Sequence, residues 1–468
     1  METLQHIIDV ANDLLWTYIM IAALIACALY FTIRSRFVQF RMLGEMIRQL
    51  VNSNDSQQSQ GEKHISPFQA FAVSLASRVG TGNLAGVASA IAVGGPGAVF
   101  WMWVIALIGS ANAFVESTLA QLYKRRANDS FIGGPAYYIL HGLKCRWMAV
   151  LFSILIILTF GFAFTTVQSN TLCEAIENAF GLDHAYIGIA ITIATLLIIF
   201  GGIQRIAKVS AVIVPIMALG YILLAIIVVA INITQLPAVL ELIVKNAFGV
   251  EQIVGGGLGA ALMQGIKRGL FSNEAGMGSA PNAAATASTS HPVKQGLIQS
   301  LGVFTDTLII CTCTAFIILM SGVSLGGDLD GIRLTQEALT AEIGSSGRTF
   351  VAIAIFFFAF SSIIGNYYYG EANVKFITSS SKVLNIYRLL VCVMVMAGAV
   401  MSLQTVWSMA DLTMGLMTLC NIAAIALLGR QVLVLLKDYN KQKREGHDPV
   451  FKKSEVKEFA NNDAIECW

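Results

Sequence analysis

Charge is what this sequence has least of. Only 12% of its 468 residues are Asp, Glu, Lys or Arg, about half the share found in ordinary soluble domains. With 56% hydrophobic residues and so little charge, the chain is not a water-soluble globular protein. The net charge is only +2, and the basic residues form no stripe with interleaved aromatics, so nucleic acid is not a partner. Metal and redox patterns are missing too. The eight cysteines (Cys27, Cys145, Cys173, Cys311, Cys313, Cys392, Cys420, Cys467) include no CxxC pair, and Cys311 and Cys313 point to different helix faces, so they read as small apolar fillers. The six histidines (His6, His64, His141, His184, His291, His447) are scattered. No H-E-x-x-H and no G-x-S-x-G occurs, which argues against an enzyme. No nucleotide loop is present either: Gly80, Gly82 and Gly86 space as G-x-G-x-x-x-G without a βαβ unit. No cofactor is expected. The first apolar run ends in Arg34 and Arg36 rather than a small-residue cleavage site, so it reads as a retained helix, not a signal peptide.

What the chain does have is long uncharged runs, among them Leu14 to Ile33, Trp147 to Cys173, Val209 to Leu240, Val351 to Gly370 and Leu389 to Ala410. A bilayer core needs about 20 apolar residues per helix, and the dyad alternation of a membrane β-barrel is missing. The chain therefore reads as an all-α polytopic membrane protein. Breaking the runs at charges, Pro and Gly predicts eleven helices, at 13–33, 66–92, 97–122, 147–172, 185–203, 208–232, 252–290, 296–321, 349–375, 387–404 and 408–436. Alternate connections collect 24 of the 30 basic residues, beginning with Arg34, Arg36, Arg41, Arg48 and Lys63. The positive-inside rule then puts the N-terminus outside and the C-terminus in the cytoplasm, in a plasma membrane such as a bacterial inner membrane. The connection QLVNSNDSQQSQGEKH and the tail 437–468 read as polar, solvated segments, and no obligate protein partner is evident.

Two segments break the apolar background: SRVGTGNLAGVASA at Ser77 to Ala90, and GLFSNEAGMGSAPNA at 269–283, the latter preceded by GGGLGA at Gly255 to Ala260. Gly82 and Gly86 form a G-x-x-x-G that would let helices pack closely, but this leaves Arg78, Thr81 and Asn83 unexplained. Unwound helices explain both features. Backbone lacking helical bonds is tolerated in a membrane only where it is buried in protein or lines a cavity, and there it can hold ligands. Half-helix N-termini suit a carboxylate, whereas unwound carbonyls and half-helix C-termini suit a cation. Setting the first helix aside, the interruptions fall in the first and sixth of ten spans. That spacing fits two five-helix units of opposite orientation, 66–232 and 233–436, preceded by an N-terminal segment 1–65.

At these residues a family resemblance becomes specific. VGTGNLAGVASAI, GPAYYI at Gly134 to Ile139, GLFSNEAGMGSAPNAAATA at Gly269 to Ala287 and FAFSSIIGNYYYGEAN at Phe358 to Asn373 resemble the alanine or glycine:cation symporter family from about residue 15 to 440. The resemblance implies a leucine-transporter-like five-plus-five inverted repeat behind an extra helix, and sodium-coupled uptake of small neutral amino acids. It implies substrate contacts at Gly80, Thr81, Gly82 and Asn83, at Ser272, Asn273, Gly276, Met277 and Gly278, and at Gln168. Sodium, the co-transported cation, would meet Ser361 and Ser362 opposite carbonyls of Ala76 and Val79. Each has a plainer alternative: glycines for packing, Gln168 for an interhelical bond, serines bonded to their own helix. Where many members of the family carry Trp, this chain has Asn366, a change that would enlarge the pocket and admit a polar side chain such as glutamine's. Arg78 and Glu274 remain structural or coupling charges. A buried Arg78 must meet a carboxylate, backbone carbonyls or water, and among the carboxylates Glu274, Glu116, Asp306, Glu371 and Asp411 are all candidates. Proton coupling or exchange on the same architecture is the nearest alternative function; a channel or receptor is more distant.

Overall fold

The computed structural model describes residues 2–52, 65–127, 130–200, 202–250, 257–325, 327 and 329–468. Lys63 with most of the polar connection, and Gly255 and Gly256, lie outside the described residues. Eight helices are long and apolar enough to cross a membrane: α1 (Gln5–Arg34), α5 (Gly97–Leu122), α7 (Arg146–Phe180), α9 (Gly202–Ile231), α13 (Pro292–Met320), α15 (Ser346–Ile377), α16 (Ser381–Val400) and α17 (Leu403–Arg444). Three further predicted spans fall short of that length for two reasons. Two are interrupted, as α3 (Pro67–Arg78) with α4 (Gly82–Gly94) and as α11 (Gly257–Asn273) with α12 (Pro281–Ala284). The other is α8 (His184–Ile199), of 16 residues.

Local chemistry accounts for the interruptions. α3 starts from a capping box between Ser66 and Gln69 with Pro67 in its first turn, and its regular bonding stops at Val79 (φ −79, ψ 88). α11 stops where Glu274, Gly276 and Gly278 adopt φ of +56, +87 and +85. Glycine takes this left-handed backbone freely, whereas a glutamate is uncommon there and must be held by its surroundings. Pro281, which lacks an N–H that the first turn would leave unpaired anyway, restarts the helix.

Shorter elements fill the connections: α2 (Leu43–Asn52), the hairpin β1 (Arg125–Ala127) and β2 (Ser130–Ile132), α6 (Pro135–Gly142), α10 (Leu236–Ala247) and α14 (Gly331–Ile343). α10 seals the turn between α4 and α5, where Asn246 Oδ1 accepts from Gly97 N at 2.8 Å. At the face where α17 ends, here the C-terminal face, the ends of the two broken helices are zipped together. Ile65 and Ala287 form a parallel bridge, with Ser288 N donating to Ile65 O at 3.0 Å.

The last predicted helix, 408–436, extends in the structure over Leu403–Arg444. The tail after it is not a solvated appendage. Phe451, Phe459 and Ile465 are buried, and Trp468 Nε1 donates to Gln121 O at 2.9 Å. The tail's charges suggest solvation, and the apolar residues spaced between them are what bury it.

Candidate functional site

The two interruptions face each other in the middle of the bundle, walled by α7, α13 and α15. Gly365 brings α15 against α3 so closely that an added Cβ would meet Ser77 backbone at 3.1 Å. This contact places the next serine outward: Ser362 Oγ donates to Ala76 O at 2.9 Å and to Val79 O at 3.4 Å. Ser361, one residue earlier, turns away, donating to its own helix at Phe358 O (3.0 Å) with Met217 of α9 beyond. One hydroxyl and two carbonyls at the C-terminal end of a half-helix make an all-oxygen, partly negative donor set, which fits a hard monovalent cation.

Beside that pole begins the second half-helix. Gly80 N donates to Asn83 Oδ1 (2.9 Å) and Thr81 N to Gln168 Oε1 (3.0 Å). Thr81 is wholly buried, and its hydroxyl has no partner among the described residues. Asn83 also donates to Asp306 Oδ1 at 2.7 Å, and Ser272 Oγ donates to Asp306 Oδ2 at 2.7 Å. Asp306 of α13 thus ties the two interruptions together. Asn273 reaches Thr307 at 3.3 Å and folds its Oδ1 onto Ala275 N at 3.0 Å. Met277 is buried.

Gly276 and Gly278 do not present free N–H groups to the centre. They donate to Glu116 Oε1 and Oε2 of α5, at 3.2 and 3.0 Å. Asn421 of α17 completes the cradle, donating to Glu116 Oε2 at 2.8 Å and to Gly276 O at 2.9 Å. Glu274 lies across the same break: it accepts from Ser279 at 2.5 Å and from Ser77 at 2.8 Å. The Ser77 oxygen also lies 2.7 Å from Asn366 Oδ1, and Asn366 Nδ2 has no partner among the described residues.

Arg78 is 1% exposed, and among the described residues it makes no ion pair. It donates to Gln299 O at 3.2 Å, while Nε and Nη2 stay unpartnered. Glu116, Glu274 and Asp306 lie near enough to act on it electrostatically without pairing, and the other two carboxylates are engaged elsewhere. Asp411 pairs with Lys267 and Arg268 at 2.9 and 2.8 Å, and Glu371 holds Tyr367, Lys375 and Arg388.

Both ends of this centre are covered. Toward the face opposite the C-terminal one, the rings of Phe164, Phe271 and Trp407 pack in series, tilted by 38° and 51°, at 4.3 and 4.7 Å between centroids. The Arg268 guanidinium lies 4.2 Å from the Trp407 ring, above which Asp411 pins it. Toward the C-terminal face, Tyr368 OH and Asn373 Nδ2 donate to Asn282 O and Oδ1, at 3.3 and 3.0 Å. The sequence reading missed the aromatic cover, because rings are unremarkable in an apolar span. In the sequence Glu116 stands only as a partner for Arg78, although the sole carboxylate of α5 and the one amide in the apolar middle of α17, Asn421, signal a polar contact between them.

A family model described as the sodium:alanine symporter family matches residues 1–453. The chain belongs to the sodium:alanine symporter family. It is therefore a multi-pass membrane transporter and not an enzyme. The transporter is 55% identical to the "Probable sodium/glutamine symporter GlnT" of Bacillus subtilis (strain 168) over 467 residues, covering 100% of this chain and 96% of the relative. It is 54% identical to the "Amino-acid carrier protein AlsT" of the same organism, covering 99% and 97%. Among solved structures it resembles MhsT in complex with L-phenylalanine (TM-score 0.55, 15% identity, 81% of this chain and 97% of that one). It also resembles a Na+-coupled sialic acid symporter (TM-score 0.54, 14% identity, 89% and 93%). These likenesses establish the leucine-transporter fold of this family member.

Proposed function

We propose that the protein is a sodium-coupled symporter that takes up small neutral amino acids by alternating access, with alanine, glycine and glutamine as its substrates. The observation that carries this reading is the pairing of opposite poles at one break. The Ser362 hydroxyl with the Ala76 and Val79 carbonyls suits a cation, and the start of α4 at Gly80 to Asn83 lies immediately beside it and suits a carboxylate. Gln168 borders that carboxylate position. Asn366, with its free buried amide N–H, is placed to meet a polar side chain, in keeping with a relative named for glutamine. We assign the C-terminal face to the cytoplasm of a bacterial inner membrane, and 66–232 and 233–436 to the two inverted units.

The test is uptake into proteoliposomes. Alanine, glycine and glutamine should each accumulate against their gradients when Na+ is imposed outside, and none should accumulate when K+ or choline replaces it; unchanged uptake without Na+ would overturn the coupling. A second reading, proton coupling, is favoured by one observation: Glu116, Glu274 and Asp306 are all buried, with Arg78 as the basic side chain nearest them. Flux driven by a pH gradient in the absence of Na+ would select it.

A further inference from the structure

The tail closes over the joint that alternating access must open. Gln121 Nε2 at the end of α5 donates to Ala284 O and Ala287 O, at 2.6 and 3.0 Å, and Lys124 Nζ donates to Ala287 O at 3.2 Å. These bonds clamp the far end of the second broken helix at the point where Ala287 is zipped to Ile65 of the first. The final residues of the chain sit on this clamp. Trp468 donates from its indole to Gln121 O, its ring lies 4.5 Å from Lys124 Nζ, and Cys467 Sγ donates to Lys124 O at 3.3 Å. Arg125 holds Glu466 at 2.8 Å and Ala464 O at 2.9 Å.

The tail's other end grips the start of α13. Lys294 Nζ pairs with Asp448 at 2.7 Å, Ser290 Oγ donates to Pro449 O at 3.0 Å, and Phe451 N donates to Ser290 O at 2.8 Å. Asp448 and Val450 also wall a cavity of about 360 Å³ with Pro67 at the start of α3 and Ser288, Thr289 and Ser290 after α12. The segment is thus moored at α5, at α13 and, through its own chain, at α17.

We propose that residues 447–468 form a strap that locks the C-terminal mouth of the transport path and lifts from the Gln121–Lys124 clamp whenever the site opens to that face. The physical reason is geometric. Opening that face separates Ile65 from Ala287; Ala287 carries the Lys124 and Gln121 bonds, and Trp468 rests on both of those residues. The strap cannot stay seated while its seat divides. Where it meets the Gln121–Lys124 clamp the strap is held by a few hydrogen bonds, one ring–cation contact and a partly exposed ion pair, a set weak enough to open locally, while the buried Phe451 and Phe459 keep the rest of the segment anchored.

This rests on the transport reading, and native Cys467 tests it in the full-length protein. In proteoliposomes, maleimide labelling of Cys467, read by peptide mass spectrometry to separate it from the other cysteines, is followed alongside uptake. Labelling should be several-fold faster during Na+-driven alanine uptake than in K+ alone. Trp468→Ala should raise the resting labelling rate to the same level and alter the apparent affinity for alanine. Uptake with labelling unchanged overturns the strap alone, as does a Trp468→Ala variant that exposes Cys467 but transports with wild-type kinetics. Absence of uptake under every condition overturns the transport reading and the strap with it, so the two failures are distinguishable.

Discussion

Ser361 and Ser362 carry the same hydroxyl on successive residues of α15, yet a helix turns about 100° per residue, and that turn separates their roles. Ser362 reaches the Ala76 and Val79 carbonyls, and Ser361 returns its proton to Phe358 O. Removing one of three oxygens from a buried cation site costs about 1.4 kcal/mol, a factor of about ten. Ser362→Ala is therefore expected to raise the Na+ concentration for half-maximal uptake about tenfold, while Ser361→Ala leaves it nearly unchanged. Equal effects of the two variants would remove Ser362 from the cation site. Gly80 belongs to the same contact, because a Cβ there would press on Ser362 and lie 2.8 Å from Gln168 Oε1.

Among the elements, the second interruption is the one whose backbone is most constrained. Its N–H groups at Gly276 and Gly278 have left the helix, and an unpaired buried N–H costs about 1–3 kcal/mol. Glu116 of α5 receives both, so the stability of the break depends on a carboxylate from a neighbouring helix. Glu116→Ala should lower the unfolding midpoint in detergent by several degrees and depress maximal uptake, and Glu116→Gln, which keeps one acceptor oxygen, should fall between it and wild type. A midpoint unchanged by Glu116→Ala would show that water replaces the carboxylate without penalty.

Across the whole molecule, the strap makes the closure of one face sensitive to pH. Burial pushes the Lys124 ammonium down to about 7 from 10.5; Arg126, Arg125, Cys467 and Glu466 are the charged or titratable groups around it and its partner Cys467. A docked lysine that binds its proton more weakly than a released one makes docking stronger as pH rises from about 7 toward 10.5, and leaves it flat below 7. Hydrogen-exchange protection of residues 456–468, corrected for the intrinsic rate, should rise from about pH 7 to about pH 9, above which the Cys467 thiol, pushed up by burial, opposes it, and Lys124→Met should abolish the rise. A slope that survives in the variant would assign it to another group.

Much of this architecture was legible in the sequence, because a bilayer demands long apolar helices and leaves an interruption conspicuous. Composition determined the membrane class; the glycines of VGTGN and SNEAGMG, with Pro281, determined where two helices stop. What the sequence could not determine is which partner each freed group finds, since that depends on residues far along the chain meeting in space. Gly276 and Gly278 read as groups open to a ligand, and α5 supplies Glu116 to both. Arg78 reads as a buried cation that needs a carboxylate, backbone carbonyls or water, and the fold offers it a carbonyl of Gln299. The tail reads as solvated, and only the meeting of α5, α13 and the joint at Ala287 creates the surface on which Phe451 and Trp468 are buried or bonded. Local chemistry decides where a backbone breaks; only tertiary packing decides what occupies the break.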